Sequence, residues 1–481
     1  MNQTNLHFLV SHAKHYGFIY PSSEIYGGIS SIYDYGPYGI ELKKNIQEYW
    51  WRSMIQLHDN IVGLDSSILM HTDVWKASGH IDKFNDLSID NKDSNKRYSP
   101  EILIKESLLK NNPKNKKEIL DILDKYLLNN KLDDIESLIK KLNICDPIYG
   151  SQNWTNIHLF NMMFKINETQ GGFFLRPETA QGIFTNFINV KKSIRMKIPF
   201  GIAQVGKSFR NEIIARQFIF RMREFEQMEL QFFISPKEEK KWYNYWKKLR
   251  LKWHLELNLG NNKYQMIEQK KLAHYASYGT DIKFNFPFGF KEIEGIHCRT
   301  DFDLRKHECF SNKKLRVFEQ SKNNYIPYVI ETSLGLDRIL LAIYSSSLKL
   351  EKIPNGNNRI VLKIPYYLSP IQAAILPLVS KKGLPEIAKK IFNDLKIDHK
   401  LIYDAKTSIG KLYRRQDAIG TPICFTVDYD TINNNTVTMR DRDTMQQKRI
   451  PIASISHILR EKISMTKILK KLLDISSNIG S

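Results

Sequence analysis

The apolar positions of this chain change period several times, and each change predicts a different kind of structure. Between residues 6 and 20, Leu6, Leu9, Val10 and Ala13 fall on one helical face, and Gly17 can end the segment. Tyr26 to Gly39 is rich in Gly and Tyr and reads as loop and strand. Ile40 to Ile55 is amphipathic, with Leu42, Ile46, Tyr49, Trp50 and Met54 on or near one stripe. From Asp86 to Pro147, Lys, Asn and Asp take over and glycine almost disappears. Ile119, Ile122, Leu123, Tyr126 and Leu127 make one stripe, and Ile135, Leu138, Ile139 and Leu142 another. With Asn129-Asn130-Lys131 as the turn, this predicts an inserted helical hairpin. From Phe173 to Tyr344, short β-type runs alternate with charged and glycine positions, as in an antiparallel sheet with one working face. Residues 345–358 are polar, and Pro354-Asn355-Gly356-Asn357-Asn358 predicts a linker. Beyond it, Arg359–Ile364, Ala373–Leu378 and Ile423–Val427 are short apolar runs separated by helical stretches, which suggests a compact α/β domain.

At 481 residues the chain exceeds what one hydrophobic core supports. The pattern divides it into 1–85 and 148–350, which together carry the sheet, the insertion 86–147, and a C-terminal domain over 359–481. The fold class is α+β. No internal repeat is present, nor a Walker-type or dinucleotide-binding fingerprint.

The chemistry is concentrated in two stretches. Reading Gln204–Glu212 as a strand puts Gln204, Gly206, Ser208, Arg210 and Glu212 on one face. After a loop, Arg221–Ile234 reads as a second strand, with Phe225, Gln227, Glu229 and Gln231 on one face and Met228, Leu230 and Phe232 on the other. A polar face carrying arginine, carboxylates and an exposed phenylalanine suits a nucleotide. Arg210 and Arg221 offer planar forks to phosphates, Phe225 a stacking surface to a purine, and Glu212 or nearby backbone an acceptor to its exocyclic amine. In the second stretch, Tyr328–Ser333 reads as a strand on which Glu331 and Ser333 share a face. Leu334-Gly335-Leu336-Asp337-Arg338 then enters an apolar helix, and the glycine permits close approach of a ligand. Read without context, these are an ion-pair-rich hairpin and a helix-start salt bridge.

Phe209-Arg210-Asn211-Glu212, a loop and Arg221-x-x-x-Phe225 resemble motif 2 of the class II aminoacyl-tRNA synthetases, and Gly335-Leu336-Asp337-Arg338 resembles motif 3. Tyr35-Gly36-Pro37-Tyr38-Gly39 with the helix after it is similar to motif 1, the dimer-forming element. The resemblance implies a catalytic domain built on an antiparallel sheet flanked by helices, ATP with Mg2+ as cofactor, and catalysis by Arg210, Arg221 and Arg338. Phe174–Gly182, Phe225–Glu229, Lys291–Ile296, Asp301–Leu304 and Glu331–Ser333 together look like the dimeric glycyl-tRNA synthetases, in order along nearly the whole chain. By that resemblance ATP meets Arg210, Asn211, Glu212, Phe220, Arg221, Met222, Arg223, Glu224, Phe225, Glu292, Ile293, Gly335, Leu336, Asp337 and Arg338. Glycine or its adenylate meets Arg97, Glu178, Phe225, Glu226, Gln227, Met228, Glu229, Glu331, Thr332, Ser333, Leu334 and Gly335. Glu292 is the metal-proximal carboxylate.

Glycine offers only an ammonium and a carboxylate, so its site must supply several acceptors, for which Glu178, Glu229, Glu331 and Ser333 are suited. Larger amino acids would be rejected sterically. The implied reaction is attack of the glycine carboxylate on the α-phosphorus of ATP, followed by transfer of glycine to the 3′ end of tRNA(Gly), with orientation and charge neutralisation as the sources of rate.

Composition adds less. The net charge of +21 favours a polyanionic partner, although Lys, Asn and Ile are abundant throughout, so compositional drift contributes. The four cysteines contain no Cys-x-x-Cys pair, and no zinc is expected. Many bacterial relatives carry such a pair just before the position of Arg97; here Asn91 and Ser94 stand there. Met1–His15 has no apolar signal core and no run reaches membrane length, so the expectation is a cytoplasmic protein without membrane contact, and the resemblance implies a homodimer. Residues 359–481 resemble the anticodon-binding domain of glycyl-, threonyl-, prolyl- and histidyl-tRNA synthetases, most distinctively at Ser408–Asp417 and Gly420-Thr421-Pro422. Lys411, Arg414 and Arg415 would meet tRNA phosphates, and Arg442 with Asp443 reads as a salt-bridged turn. The competing readings are another class IIa synthetase and a non-catalytic nucleic-acid-binding paralogue. The first conflicts with the glycine-type stretches, the second with the presence of all three motif arginines.

Overall fold

A computed structural model describes residues 5–480 apart from 114, 167–172, 214–216, 271, 274, 320–321, 353–355, 357 and 382. The first helix, α1 (Leu6–His15), buries Leu9 and Ala13 and gives way at Gly17, whose φ of +77° suits a residue without Cβ. Two short strands follow, and then α2 (Pro37–Trp51) opens with proline in its first turn. A Cβ on Gly39 would stand 1.8 Å from the Phe18 carbonyl oxygen, so only glycine lets this helix seat on the preceding chain. A single π-turn, Arg52–Gln56, closes the helix.

The insertion holds three helices rather than a hairpin: α3 (Pro100–Asn111), α4 (Lys116–Leu128) and α5 (Leu132–Lys141). The two stripes meet as expected, with Leu123, Ile135 and Ile139 buried between α4 and α5, and Leu103, Ile104 and Leu108 of α3 complete that core. The stripe of α3 is too poorly separated from polar positions to stand out in sequence. The helices sit on a small sheet formed by Asn85–Asn91, Lys96–Tyr98 and His158–Asn161.

A seven-stranded sheet forms the centre. Its strands are β1 (Ile61–Gly63), β2 (Phe200–Phe209), β3 (Glu224–Ile234), β4 (Tyr264–Glu268), β5 (Tyr278–Phe286), β6 (Gly289–Thr300) and β7 (Tyr328–Gly335), in the order β4-β5-β6-β7-β3-β2-β1. All pairings are antiparallel except that of β1 with β2. One face packs against α7 (Glu239–Leu255), α2 and α9 (Leu336–Ser347), burying Met228, Leu230, Phe232, Ile296, Ile330 and Leu334 in one core. Helices α6 (Ala180–Ser193) and α8 (Phe302–Ser311) close one end of the other face. The remainder of that face is open.

Leu348–Lys352 pairs with Asn358–Leu362 as an antiparallel hairpin, so the run Arg359–Ile364 belongs to it; most of the predicted Pro354–Asn358 linker lies outside the described residues. The second sheet has β8 (Ala373–Pro377), β9 (Leu401–Tyr403), β10 (Ile423–Val427), β11 (Thr436–Asp441) and β12 (Gln447–Pro451) in the order β9-β8-β10-β11-β12, with α10 (Leu384–Leu395) and α11 (Ile409–Ile419) against it. Arg442 does more than brace a turn. It is buried and donates to the carbonyls of Leu362, Ile364 and Gly420 as well as to Asp443. The final helix, α12 (Thr466–Gly480), returns to the central domain, where Leu469 and Leu472 join the main core.

Candidate active site

The open face of the central sheet holds a cavity of about 280 Å³. Strand alternation explains its lining: Phe225, Gln227 and Glu229 of β3 and Glu331, Ser333 and Gly335 of β7 point into it, in a register that sets Glu229 beside Ser333 and Gln231 beside Glu331. Apart from Glu226 at the rim, the intervening residues point the other way. Met228, Thr332, Leu334 and Leu336, expected at the ligand, are fully buried, with Met228, Leu334 and Leu336 in the opposite core.

One end of the cavity is cationic. Arg210, just past the end of β2, donates through Nε to the Pro177 carbonyl (3.0 Å), and its guanidinium lies 5.2 Å from the Phe225 ring centroid. Arg221 is held by Glu212, with Nε and Nη2 at 2.8 and 2.6 Å from one carboxylate oxygen. One Glu212 oxygen is therefore engaged in anchoring an arginine, and the residue lines the cavity. Arg338, in the first turn of α9, donates to the Glu292 carbonyl (3.0 Å) and the Phe220 carbonyl (3.3 Å), and lies 4.5 Å from the Phe220 ring centroid. Burial and the positive charges of Arg210 and Arg221 lower its pKa against the opposing pull of Glu292. These three cations are gathered around one space, Arg221 beside Glu212, Arg338 at 3.7 Å from the Glu292 carboxylate and Arg210 on a backbone carbonyl, a concentration of positive charge that suits a polyanion.

The other end is anionic, buried and heavily wired. Arg299 of β6 forks onto both oxygens of Asp303 (2.8 and 3.0 Å) and reaches Glu331 (2.9 Å) while covering the Tyr275 ring at 4.0 Å. Gln181 of α6 donates to Glu178 (2.9 Å) and Asp303 (3.0 Å), and its oxygen meets His307 at 2.8 Å. His80 stands 3.5 Å from Glu178. Burial pushes the Glu178 carboxyl up, but His80, Arg299 and Gln181 outweigh it and hold the group well below the usual range. Burial also pushes Glu331 up, yet Arg299 and His297 bring it down to about 2. Glu229 is different. Only the Thr179 hydroxyl meets its carboxylate, it forms no ion pair among the described residues, and burial followed by the charges of Glu331 and Glu178 raises its pKa well above normal. Ser333 Oγ accepts from Gln227 (3.3 Å), whose oxygen in turn accepts from Ser208 (2.7 Å).

Several expected residues lie elsewhere. Glu226 lines the cavity rim but is bound by Lys43 (2.6 Å) and Gln47 (2.7 Å) of α2, while Asp337 is bound by Tyr35 and the Glu226 amide; these contacts dock α2 on the site. Arg97 is paired with Asp90 (2.8 and 3.0 Å) on the small sheet and does not line the cavity. Asn211, Arg223 and Glu224 do not line it either; Glu224 pairs with Lys207. Met222 and Ile293 contribute apolar wall. Arg299, Asp303, His297, Tyr275 and Gln181 had not been singled out individually. Gly295, His297 and Arg299 alternating with buried Ile296 and Cys298, and Asp303 four residues on, are the sequence signal that could have found them.

Residues 163–347 match the family model of the tRNA synthetase class II core domain (G, H, P, S and T), residues 106–162 that of glycyl-tRNA synthetase insertion domain 1, and residues 372–462 that of the anticodon binding domain. The chain is 47% identical to the glycine–tRNA ligase of Chlorobaculum tepidum, over 95% of this chain and 99% of that one. It is 45% identical to the glycine–tRNA ligase of Macrococcus caseolyticus, over 96% and 100%. A solved structure described as the RNA binding domain of threonyl-tRNA synthetase from Cryptosporidium parvum superposes with a TM-score of 0.62 at 14% identity, covering 95% of this chain and 98% of that one, which is a likeness of fold.

Proposed function

The chain belongs to the glycine–tRNA ligase family, and from that premise we propose that the two ends of its single sheet-face cavity divide the reaction between them. The reaction is ligation: glycine and ATP give glycyl-adenylate and pyrophosphate, and glycine then passes to the 3′ end of tRNA(Gly) with release of AMP. The observation that carries the site assignment is the juxtaposition of three guanidinium groups with a buried carboxylate cluster in one cavity.

In this reading Arg210, Arg221 and Arg338 bind the triphosphate, and Arg210 also steadies the glycine carboxylate during its attack on the α-phosphorus. Phe225 stacks on adenine beside Arg210, and Ile293, Met222 and Gly335 bound the nucleotide. The ammonium lies among Glu178, Glu229, Glu331 and the hydroxyl of Ser333, with Arg299 holding Glu331 in place. No protein nucleophile is required, because carboxylate, phosphate and leaving pyrophosphate need only orientation and charge neutralisation. Mg2+ would enter with the triphosphate and neutralise its charge. The Glu292 carboxylate, about half exposed and 3.7 Å from Arg338, is suited to meet it; among the described residues no group of three or more metal-type side chains is assembled. We assign no zinc to the Arg97 region. There the Asn91 side chain accepts from the amides of Asp93 and Ser94, and Tyr98 and Ser94 both bond Asp146, so hydrogen bonds hold the turn.

Residues 1–85 with 148–350 act as the catalytic domain, 86–147 as an insertion, and 359–481 as the tRNA-reading domain. Lys411, Arg414 and Arg415 are exposed on α11, as phosphate contacts require. The reading also includes a cytoplasmic location and a homodimer, and the dimer is supported by the exposed Ile25, Tyr26 and Ile29, an apolar edge that a second copy would cover. No helix among the described residues is long and apolar enough to cross a membrane. The test is glycine-dependent ATP–pyrophosphate exchange by Arg210→Ala. Near-complete loss supports the assignment, and full exchange overturns it.

A further inference from the structure

We propose that Glu294, together with Arg250 and His254, is a positioning residue that pins a β-bulge in β6 and so holds Arg338 at the phosphate end of the cavity. The proposal rests on the assignment of Arg338 to ATP.

The bulge is read from the register. Ile282 of β5 faces Glu294 and Lys283 faces Glu292, which leaves Ile293 without a partner. This extra residue changes the phase of the strand. Beyond it, Gly295, His297 and Arg299 point into the cavity, and Glu294, Ile296 and Cys298 are fully buried on the other face. Strict alternation would send Glu292 to that buried face with Glu294. Because of the bulge Glu292 lines the cavity instead, and its carbonyl takes the 3.0 Å bond from Arg338. Arg338 is thus aimed partly by a backbone group whose direction exists only while the bulge does.

Directly after the bulge stands a wholly buried ion cluster. Arg250 of α7 contacts both Glu294 oxygens (2.5 and 3.1 Å), and His254 Nε2 lies 2.6 Å from Oε2. A carboxylate only accepts, so His254 donates through Nε2–H. Burial lowers the imidazole pKa and keeps it neutral, while Arg250 and His254 overcome the upward push of burial on Glu294 and keep it charged. Such a cluster is a poor source of stability, since an apolar trio of the same volume generally does as well or better. What it supplies is direction: a side chain with three directed contacts fixes the strand at one residue, in one register, where an apolar residue would tolerate a slip. Arg250 also touches Met54 Sδ at 3.2 Å and Trp253 bonds Ser53 at 2.9 Å, so the anchor is itself seated on the π-turn that ends α2. The glycine end has a second anchor of its own, because Arg299 on the same strand is also fixed by Asp303 and Glu331.

The experiment measures KM for ATP and for glycine by ATP–pyrophosphate exchange, and the thermal midpoint, for the full chain carrying E294Q and for the apolar triple variant R250M/H254F/E294L. A positioning role predicts a KM for ATP raised about tenfold with KM for glycine within about twofold, in the triple variant even where its midpoint equals that of the parent. An unchanged KM for ATP in a folded variant, a parallel rise of both constants, or failure of both variants to fold overturns the proposal and leaves the cluster structural. Arg338→Ala serves as reference. If it leaves KM for ATP unchanged, the assignment of Arg338 itself is wrong, a different failure from an inert E294Q beside a defective Arg338→Ala.

Discussion

On the proposed assignment, the two ends of the cavity solve opposite problems by opposite means. The phosphate end must bind a large, flexible polyanion, and it is built from long cations resting on backbone carbonyls or on a single carboxylate: Arg210 on Pro177, Arg221 on Glu212, Arg338 on Glu292 and Phe220. The glycine end must select a molecule with no side chain to grip. Its charged side chains are held by one another, with Arg299, Asp303, Gln181, Glu178 and Glu331 linked in the protein interior. The difference teaches where specificity and stability are stored. A preorganised buried network is costly to break because each member leaves another uncompensated, whereas a surface cation can be removed without disturbing the fold.

The sharpest way to break this contrast is Arg299→Ala. It strands Glu331 and Asp303 in the interior, so we expect a loss of about 3–5 kcal/mol in urea unfolding together with abolished exchange. At the other end, Arg210→Ala and Arg338→Ala should each lower exchange on the order of a hundredfold to a thousandfold, while unfolding free energies stay within about 1 kcal/mol of the parent. If the phosphate-end variants unfold as readily as Arg299→Ala, the contrast fails.

Within the glycine end itself the carboxylates divide by sign. The folded pKa of Glu331 is depressed to about 2, so its charge contributes stability that is present above the usual glutamate value of 4.5 and is lost as pH falls toward 2. Glu229 is raised, so it favours the fold below 4.5 and costs stability as pH climbs through and above that value. Glu229→Gln should therefore stabilise the ligand-free protein at pH 7 more than at pH 4.5, and raise KM for glycine; Glu331→Gln should destabilise at pH 7. Thermal midpoints against pH check both. The smallest effect is expected far from the cavity. Replacing Lys411, Arg414 and Arg415 by Gln should leave exchange unchanged and weaken tRNA binding, each lost phosphate contact flattening the log–log salt dependence by about 0.7.

How much of this was legible in the sequence follows the same division. Arg210, Arg221 and Arg338 lie in short local patterns, so the cationic end of the cavity could be read directly. The helical stripes of the insertion and the paired strands of the centre were also visible, because amphipathic period reports burial. The glycine end was read as stretches, and stretches carry both faces of a strand: Met228, Thr332 and Leu334 came along with Glu229, Glu331 and Ser333, although period two alone separates them. Arg299 was missed because its partners come from a helix, a neighbouring strand and a loop, and only the fold brings these together. Glu292 shows a third case. A bulge reverses the alternation by which its direction would be judged, and nothing in local composition announces it.

The most direct test of the account offers glycine, alanine and threonine singly to the full chain and follows ATP–pyrophosphate exchange. The account predicts exchange with glycine and background with the other two. Exchange with alanine or threonine and none with glycine would contradict it.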